Sequence, residues 1–159
     1  MIVVADASPL RYLIVIEHTH VLPALYGSVL VPPAVVAELR RKRTPDPVKD
    51  WLSNRPDWLQ VKTPARTFEG ARRELGNGER EAIELARELS ADALLVDDRD
   101  AREEAERLGI PVLGTLADAS EHGFADLLVA FARLQQTNFR ATKQLLDQLL
   151  EQASRRREA

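Results

Sequence analysis

The sequence has no cysteine, which excludes a disulfide framework and a thiolate zinc site. It contains no run of about 18 apolar residues, the length a membrane-crossing helix needs, so no transmembrane span is expected. The N-terminal "MIVVADASPL" meets an acid too early for a secretory leader, and a cytoplasmic protein is the expectation. Net positive charge is missing as well. The formal net charge of −3 argues against binding nucleic acid by bulk electrostatics alone. Local basic patches remain compatible with it: Arg40 to Arg43, Arg72–Arg73 and the tail "SRRRE", although most such runs are solvated helix faces. Internal repeats, low-complexity segments and linkers are also lacking. The 159 residues, 45% of them hydrophobic, therefore read as a single domain with a real core.

What is present is an alternation of short apolar runs and amphipathic segments. "MIVVA", "SVLV", "ALLVD" and "IPVLGT" read as strands, with "WLQVKT" a weaker one at an edge. Ser8 as N-cap and Pro9 at the first helical position predict a helix to about His18. Helices are also expected at "AVVAELRRK", "PDPVKDWLSNR", "ARTFEGARREL", "EREAIELARELS" and "AREEAERLG", the last ending on a glycine. Beyond Gly123 the pattern is wholly helical. Strands alternating with helices imply a three-layer α/β/α domain around a mainly parallel sheet, with residues 1–116 as the core and 117–159 as C-terminal helices.

In such folds ligands bind outside the carboxyl ends of the strands, and that edge is where the acids fall. Asp6 follows the first strand, and Asp97 and Asp98 close the "ALLV" strand. Glu79 opens the helix that leads into that strand, and Glu38 lies in the helix leaving strand 28–31. At about 100° per residue Glu79 aligns with the buried stripe Ala82, Ile83, Leu85, Ala86 and Leu89, whereas Arg80, Glu81, Glu84, Arg87 and Glu88 take the opposite face. Each acid has a plainer explanation. Glu79 suits a helix N-terminus, Glu38 can pair with "RRK", Asp6 can begin an Asx turn, and Asp98 can cap the next helix. None of these accounts for four acids on one rim.

The ordered set "VVADASPL", "VPPAVVAEL", "GNGEREAIELA", "LLVDDRDAR" and "GIPVLGT" resembles the PIN-domain nucleases, in the small prokaryotic branch that includes VapC-like toxins. The resemblance covers residues 2 to 116. It implies a carboxylate cluster binding Mg²⁺ or Mn²⁺ and hydrolysis of single-stranded RNA. Asp6, Glu38, Glu79 and Asp98 match its four acids in order. Two positions depart from the pattern: the third acid is often Asp, and Val96 stands where a Thr is usual, with Asp97 intervening. Either Asp97 or Asp98 can thus be the inner ligand. The resemblance also implies a homodimer and a small antitoxin partner.

All-oxygen donors suit Mg²⁺ or Mn²⁺, with Asp6, Glu79 and Asp98 as main ligands and Glu38 on a second metal or orienting water. Ser8, Arg11 and Arg99 are candidate contacts to a substrate phosphate. Metal-free cleavage by histidines is disfavoured, because His18, His20 and His122 form no pair placed for acid–base work. A phosphorylated receiver is disfavoured too, since the acid pair follows a late strand and no Lys follows "IPVLG". A PIN-like module that only binds RNA or protein is the non-enzymatic alternative. Exposed apolar surface around "VLPALYG" and "LLDQLL" is a further reason to expect self-association.

Overall fold

A computed structural model of the chain describes residues 2–15, 17, 19–71 and 74–113. The expected C-terminal helices, His18, His122, Arg72–Arg73, "LLDQLL" and the "SRRRE" tail lie outside the described residues. The elements run β1 (Val3–Ala5), α1 (Ala7–Val15), α2 (Val21–Tyr26), β2 (Val29–Val31), α3 (Pro33–Leu39), α4 (Asp46–Ser53), β3 (Leu59–Val61), α5 (Asn77–Glu88), β4 (Ala93–Leu95), α6 (Arg99–Arg107) and β5 (Val112–Leu113). The strands form one parallel sheet in the order β3-β2-β1-β4-β5, flanked by helices, as the alternation predicts. β3 is indeed an edge strand, and two of its three residues are exposed. No described helix is long and apolar enough to cross a membrane.

The strand order fixes where a site can form. The chain winds outward from β1 through β2 to β3, then returns to lay β4 against the other side of β1. The crevice between the carboxyl ends of β1 and β4 is therefore the topological switch point, the usual ligand position in open parallel sheets. Val3, Val4 and Ala5 pair with Ala93, Leu94 and Leu95, and all six are buried.

Helix ends follow local chemistry. α6 closes in a Schellman arrangement: Ile110 N–H reaches Ala105 O (2.9 Å) and Gly109 N–H reaches Glu106 O (3.0 Å), with Gly109 at φ +76°. α1 begins two residues earlier than expected, at Ala7, so Ser8 is not its N-cap but sits within the first turn, and the helix is described to Val15. Asp6 takes the flanking place instead, and its carboxylate accepts the Ala7 N–H.

Two further expectations fail together. "ARTFEGARREL" is not helical over its described residues. Gly70 lies at φ +80°, which a continuing helix forbids, and the N–H groups of Ala65 and Arg66 donate to the Glu88 carboxylate (2.8 and 2.9 Å). Phe68 from this segment joins the core, 2% exposed, beneath the Arg87 guanidinium, and Arg107 Nη2 reaches Gly70 O at 3.4 Å. α5 is consequently covered on more than one side, by β1, β4, α3 and α6. Glu84, placed on the solvent face by the helical pattern, is in fact fully buried. Arg87 Nη2 lies 3.2 Å from its Oε1 with hydrogen-bond geometry and 3.0 Å from Oε2 as an ion-pair contact. Glu104 repeats the device on α6 with Arg107 (2.7 Å).

A buried carboxylate without its cation is strongly unfavourable. Arg87→Ala should lower stability by about 1–3 kcal/mol, below the roughly 3–5 kcal/mol of a fully buried pair because Arg87 is half exposed. Replacing both partners, Glu84→Leu with Arg87→Met, should recover most of that loss. Urea unfolding midpoints of the three proteins check it.

Candidate functional site

Asp6 is the first residue past β1, and its own N–H continues the ladder to Leu95 O at 2.9 Å. This fixes it at the switch point, where it is 3% exposed. Its Oδ1 is buried without a hydrogen-bond partner. Burial pushes the Asp6 carboxyl up to about 7; the Ala7 N–H opposes this, while Glu79, Glu38 and Asp97 add to it.

Glu38 reaches the same point from the last turn of α3. Gly78, the second residue of α5, marks where they meet. A Cβ built there would lie 3.0 Å from Glu38 Oε2, 3.5 Å from Val35 Cγ2 and 3.7 Å from Asp6 Oδ1. Only a residue without a side chain leaves this gap between two carboxylates open. Glu38 also leans towards Arg41, Oε1 to Nη1 3.7 Å. α3 packs closely on α5, and Glu81 Oε1 accepts the Ala34 N–H near the start of α3 (3.3 Å), which helps hold the two helices in place.

Glu79 occupies the first turn of α5, and its Oε2 accepts the Gly76 N–H at 2.9 Å. Glycine has no side chain to return the bond, so only half of a capping box exists. Its carboxyl is raised above the ordinary value, first by burial and then by Asp98, Glu38 and Asp100; the Gly76 N–H opposes the rise. Asp98 caps α6, accepting the Ala101 N–H at 3.0 Å, and is exposed, while Asp97 is half-buried. Asp97 acts on Asp6, and Asp98 acts on Glu79. The plainer capping roles of Glu79 and Asp98 are thus real and coexist with membership of the rim.

Of the other candidates, Ser8 and Arg11 line a cleft beside Glu38, whereas Arg99 Nε pairs with Glu103 along its own helix (3.2 Å). Asp100, the third acid of "DDRD", stands out in the sequence beside Asp97 and Asp98 but is not among the four matched acids, and here it acts on Glu79; sequence reasoning missed Gly78, which read only as part of a helix-breaking "GNG". Among the described residues no three His, Asp or Glu side chains form a set that could hold a metal ion as placed. The donor chemistry nevertheless fits a hard divalent cation: oxygen ligands only, one buried oxygen without a partner, and same-sign charges raising two carboxyls.

Residues 2–155 match the DUF3368 family, a PIN domain. The chain belongs to the PIN-domain family. Membership implies a nuclease-type fold, generally dependent on a divalent metal. The fold is also similar to that of a solved PilT N-terminus domain protein from the hyperthermophilic archaeon Sulfolobus solfataricus P2. That likeness has a TM-score of 0.50 and 17% identity, and covers 89% of this PIN domain and 100% of the archaeal chain. No curated protein matches the sequence.

Two predictions arise from this geometry. In EDTA, folded Asp6 keeps its proton up to about pH 7, while the unfolded chain releases it near the ordinary value of 3.8. Between those values the folded state binds more protons, so stability should fall as pH rises from about 4 to about 7 and then level. Asp6→Asn should shrink that fall to the part contributed by the raised Glu79 carboxyl; equal pH profiles for the two proteins in urea titrations would refute it. Gly78→Ala should push Glu38 from the gap while keeping the helix, whose gain of roughly 0.5–1 kcal/mol from losing a glycine offsets the crowding. The variant should melt near the wild-type temperature in EDTA and respond less to added Mn²⁺.

Proposed function

We propose that this PIN domain is a cytoplasmic, metal-dependent endoribonuclease that hydrolyses phosphodiester bonds in single-stranded RNA. The observation that carries the reading is the unpartnered, buried Asp6 oxygen at the β1–β4 switch point, surrounded by Glu38, Glu79 and Asp97. Asp6, Glu38, Glu79 and one of the Asp97–Asp98 pair would hold Mg²⁺ or Mn²⁺. A bound cation lowers the pKa of water and offsets charge on the phosphate under attack. The chain's own part is placement. Asp6 is locked by its backbone bond to Leu95, Glu79 by the Gly76 N–H and Asp98 by the Ala101 N–H, so the oxygens start near their working positions. Glu38, half exposed beside the cleft, is the acid best placed to orient a water or serve a second metal.

By the same resemblance the protein is proposed to be the VapC-like toxin of a toxin–antitoxin pair and to work as a homodimer. Co-purification with the product of an adjacent small gene tests the first part, and light scattering tests the second. The competing reading, a module that binds RNA or protein without cutting, draws on the capping contacts of Glu79 and Asp98.

Glu79→Gln separates the two. Its amide oxygen can still accept from Gly76, so the cap survives and only the charge is lost. Turnover should drop by orders of magnitude, and the Mn²⁺-induced rise in melting temperature should shrink. Glu106→Gln, on the exposed side of α6, should change neither. Glu84→Gln cannot serve as a neutral control, because Glu84 is buried with Arg87. RNA cleavage that persists in excess EDTA would eliminate the nuclease reading as stated.

A further inference from the structure

The acid rim has a neighbour of opposite sign. Next to Glu38 lies a cleft of about 260 Å³ whose lining includes Ser8, Arg11, Glu38, Arg41, Arg43 and Thr44. Ser8 and Arg11 are three apart on α1 and so share a face. Glu38 comes from the last turn of α3, and Arg41, Arg43 and Thr44 from the turn between α3 and α4. Its backbone is held by Arg41 N–H to Glu38 O (3.3 Å) and Thr44 N–H to Arg41 O (3.0 Å). Thr44 is buried and its hydroxyl donates to Glu38 O (3.4 Å), while Lys49 Nζ donates to Lys42 O (3.1 Å).

The turn sorts the basic run. Arg41 and Arg43 line the cleft, and Arg40 and Lys42 do not, so this stretch is not uniformly a solvated face. Three arginines and one glutamate line it, in a chain whose net charge is −3. Arg41 leans on Glu38 at 3.7 Å; among the described residues neither Arg11 nor Arg43 is matched to a carboxylate. Arg11 lies against the Tyr12 ring instead, at 5.8 Å. The cleft is smaller than the roughly 300–1,000 Å³ of small-molecule sites. Its scale suits a phosphate with part of its ester chain, and guanidinium groups with a hydroxyl are the donors that hold phosphate best.

We propose that Ser8, Arg11, Arg41 and Arg43 form a phosphate subsite that holds a phosphodiester flanking the scissile bond of a single-stranded nucleic acid. The proposal rests on the nuclease reading for the word scissile, while the binding itself does not. A polyanion crossing the acid rim is repelled by every carboxylate there. The cleft shares Glu38 with that rim, so one strand can touch both, with its adjacent phosphate anchored on the arginines. Contacts of this kind set the register of the strand and carry no base preference.

The test is binding of a short fluorescent single-stranded oligoribonucleotide to the full chain in EDTA, followed across a salt series. Arg11→Gln with Arg43→Gln should weaken binding severalfold and lower the log–log salt slope by roughly 0.7–1, the value of one lost phosphate contact. Arg55→Gln removes one positive charge in the loop before β3, at the opposite edge of the parallel sheet, and should leave the slope as in the wild type. A neutral methylphosphonate at one internal linkage should weaken wild-type binding and leave the double variant unaffected. Sensitivity only to a 5′-phosphate would move the subsite to a strand end and overturn the flanking assignment. Equal slopes in double variant and wild type, or no wild-type binding, would overturn the proposal. Loss of binding to poly-glutamate with RNA binding unchanged would assign the cleft to an acidic peptide instead. A wild-type chain that binds RNA in this manner yet never cuts it with Mn²⁺ would refute the nuclease reading and leave the subsite standing.

Discussion

Asp6 carries two bonds that pull its two ends into different jobs. Its backbone N–H extends the β1–β4 ladder to Leu95 O, and its carboxylate is held next to Ala7 with one oxygen buried and unpartnered. Burying a carboxylate among others of its sign costs the fold free energy, and the raised Asp6 and Glu79 carboxyls record that cost. A divalent cation bound there would reverse the balance, because acids that repel one another would each become a ligand. The fold around Asp6 therefore buries like charge that a bound divalent cation would offset.

The rest of the rim depends on that residue's position. Glu38 comes from α3 and Glu79 from α5, and these helices are packed on each other with Gly78 at the point of closest approach. The missing side chain at Gly78 leaves the gap that both Glu38 and Asp6 border. Glu79 and Asp98 each use an oxygen to cap a helix start, which orients them and also dissipates part of their repulsion. Beyond Glu38 the sign of the surface changes, and the turn after α3 presents Arg41 and Arg43 towards Arg11. A chain that is acidic overall thus has a local cluster of arginines beside its acid rim.

The scaffold behind the site uses buried charge of a different kind. Glu84 and Glu104 are buried on α5 and α6, and each is neutralised one turn on by an arginine. Those arginines also hold the irregular segment 65–70, Arg87 over Phe68 and Arg107 on Gly70 O. Paired charge stabilises the outer side of α5, and unpaired charge marks the side that faces the rim. Whether a cation is built into the chain separates the two.

Periodicity and the alternation of strands with helices were legible in the sequence because they are local properties. Apolar runs of four or five residues named the buried strands, and Gly109 marked the end of α6 through a conformation only glycine adopts freely. The carboxyl-edge position of Asp6, Glu38, Glu79 and Asp97–Asp98 followed from the parallel alternation alone. Tertiary contacts decided the rest. A helical wheel assigns one buried face, so it could not show that residues 65–70 and α6 enclose α5 and bury Glu84. Nor could it show that Gly70 turns left-handed while Glu88 takes the N–H groups a helix at 65–75 would need. Gly78 read as a breaker because its role is to be absent from a space that exists only once α3 lies on α5. The pairing of Arg11 with Arg41 and Arg43 has the same origin: some 30 residues apart in the chain, they share a cleft only because α1 packs against α3.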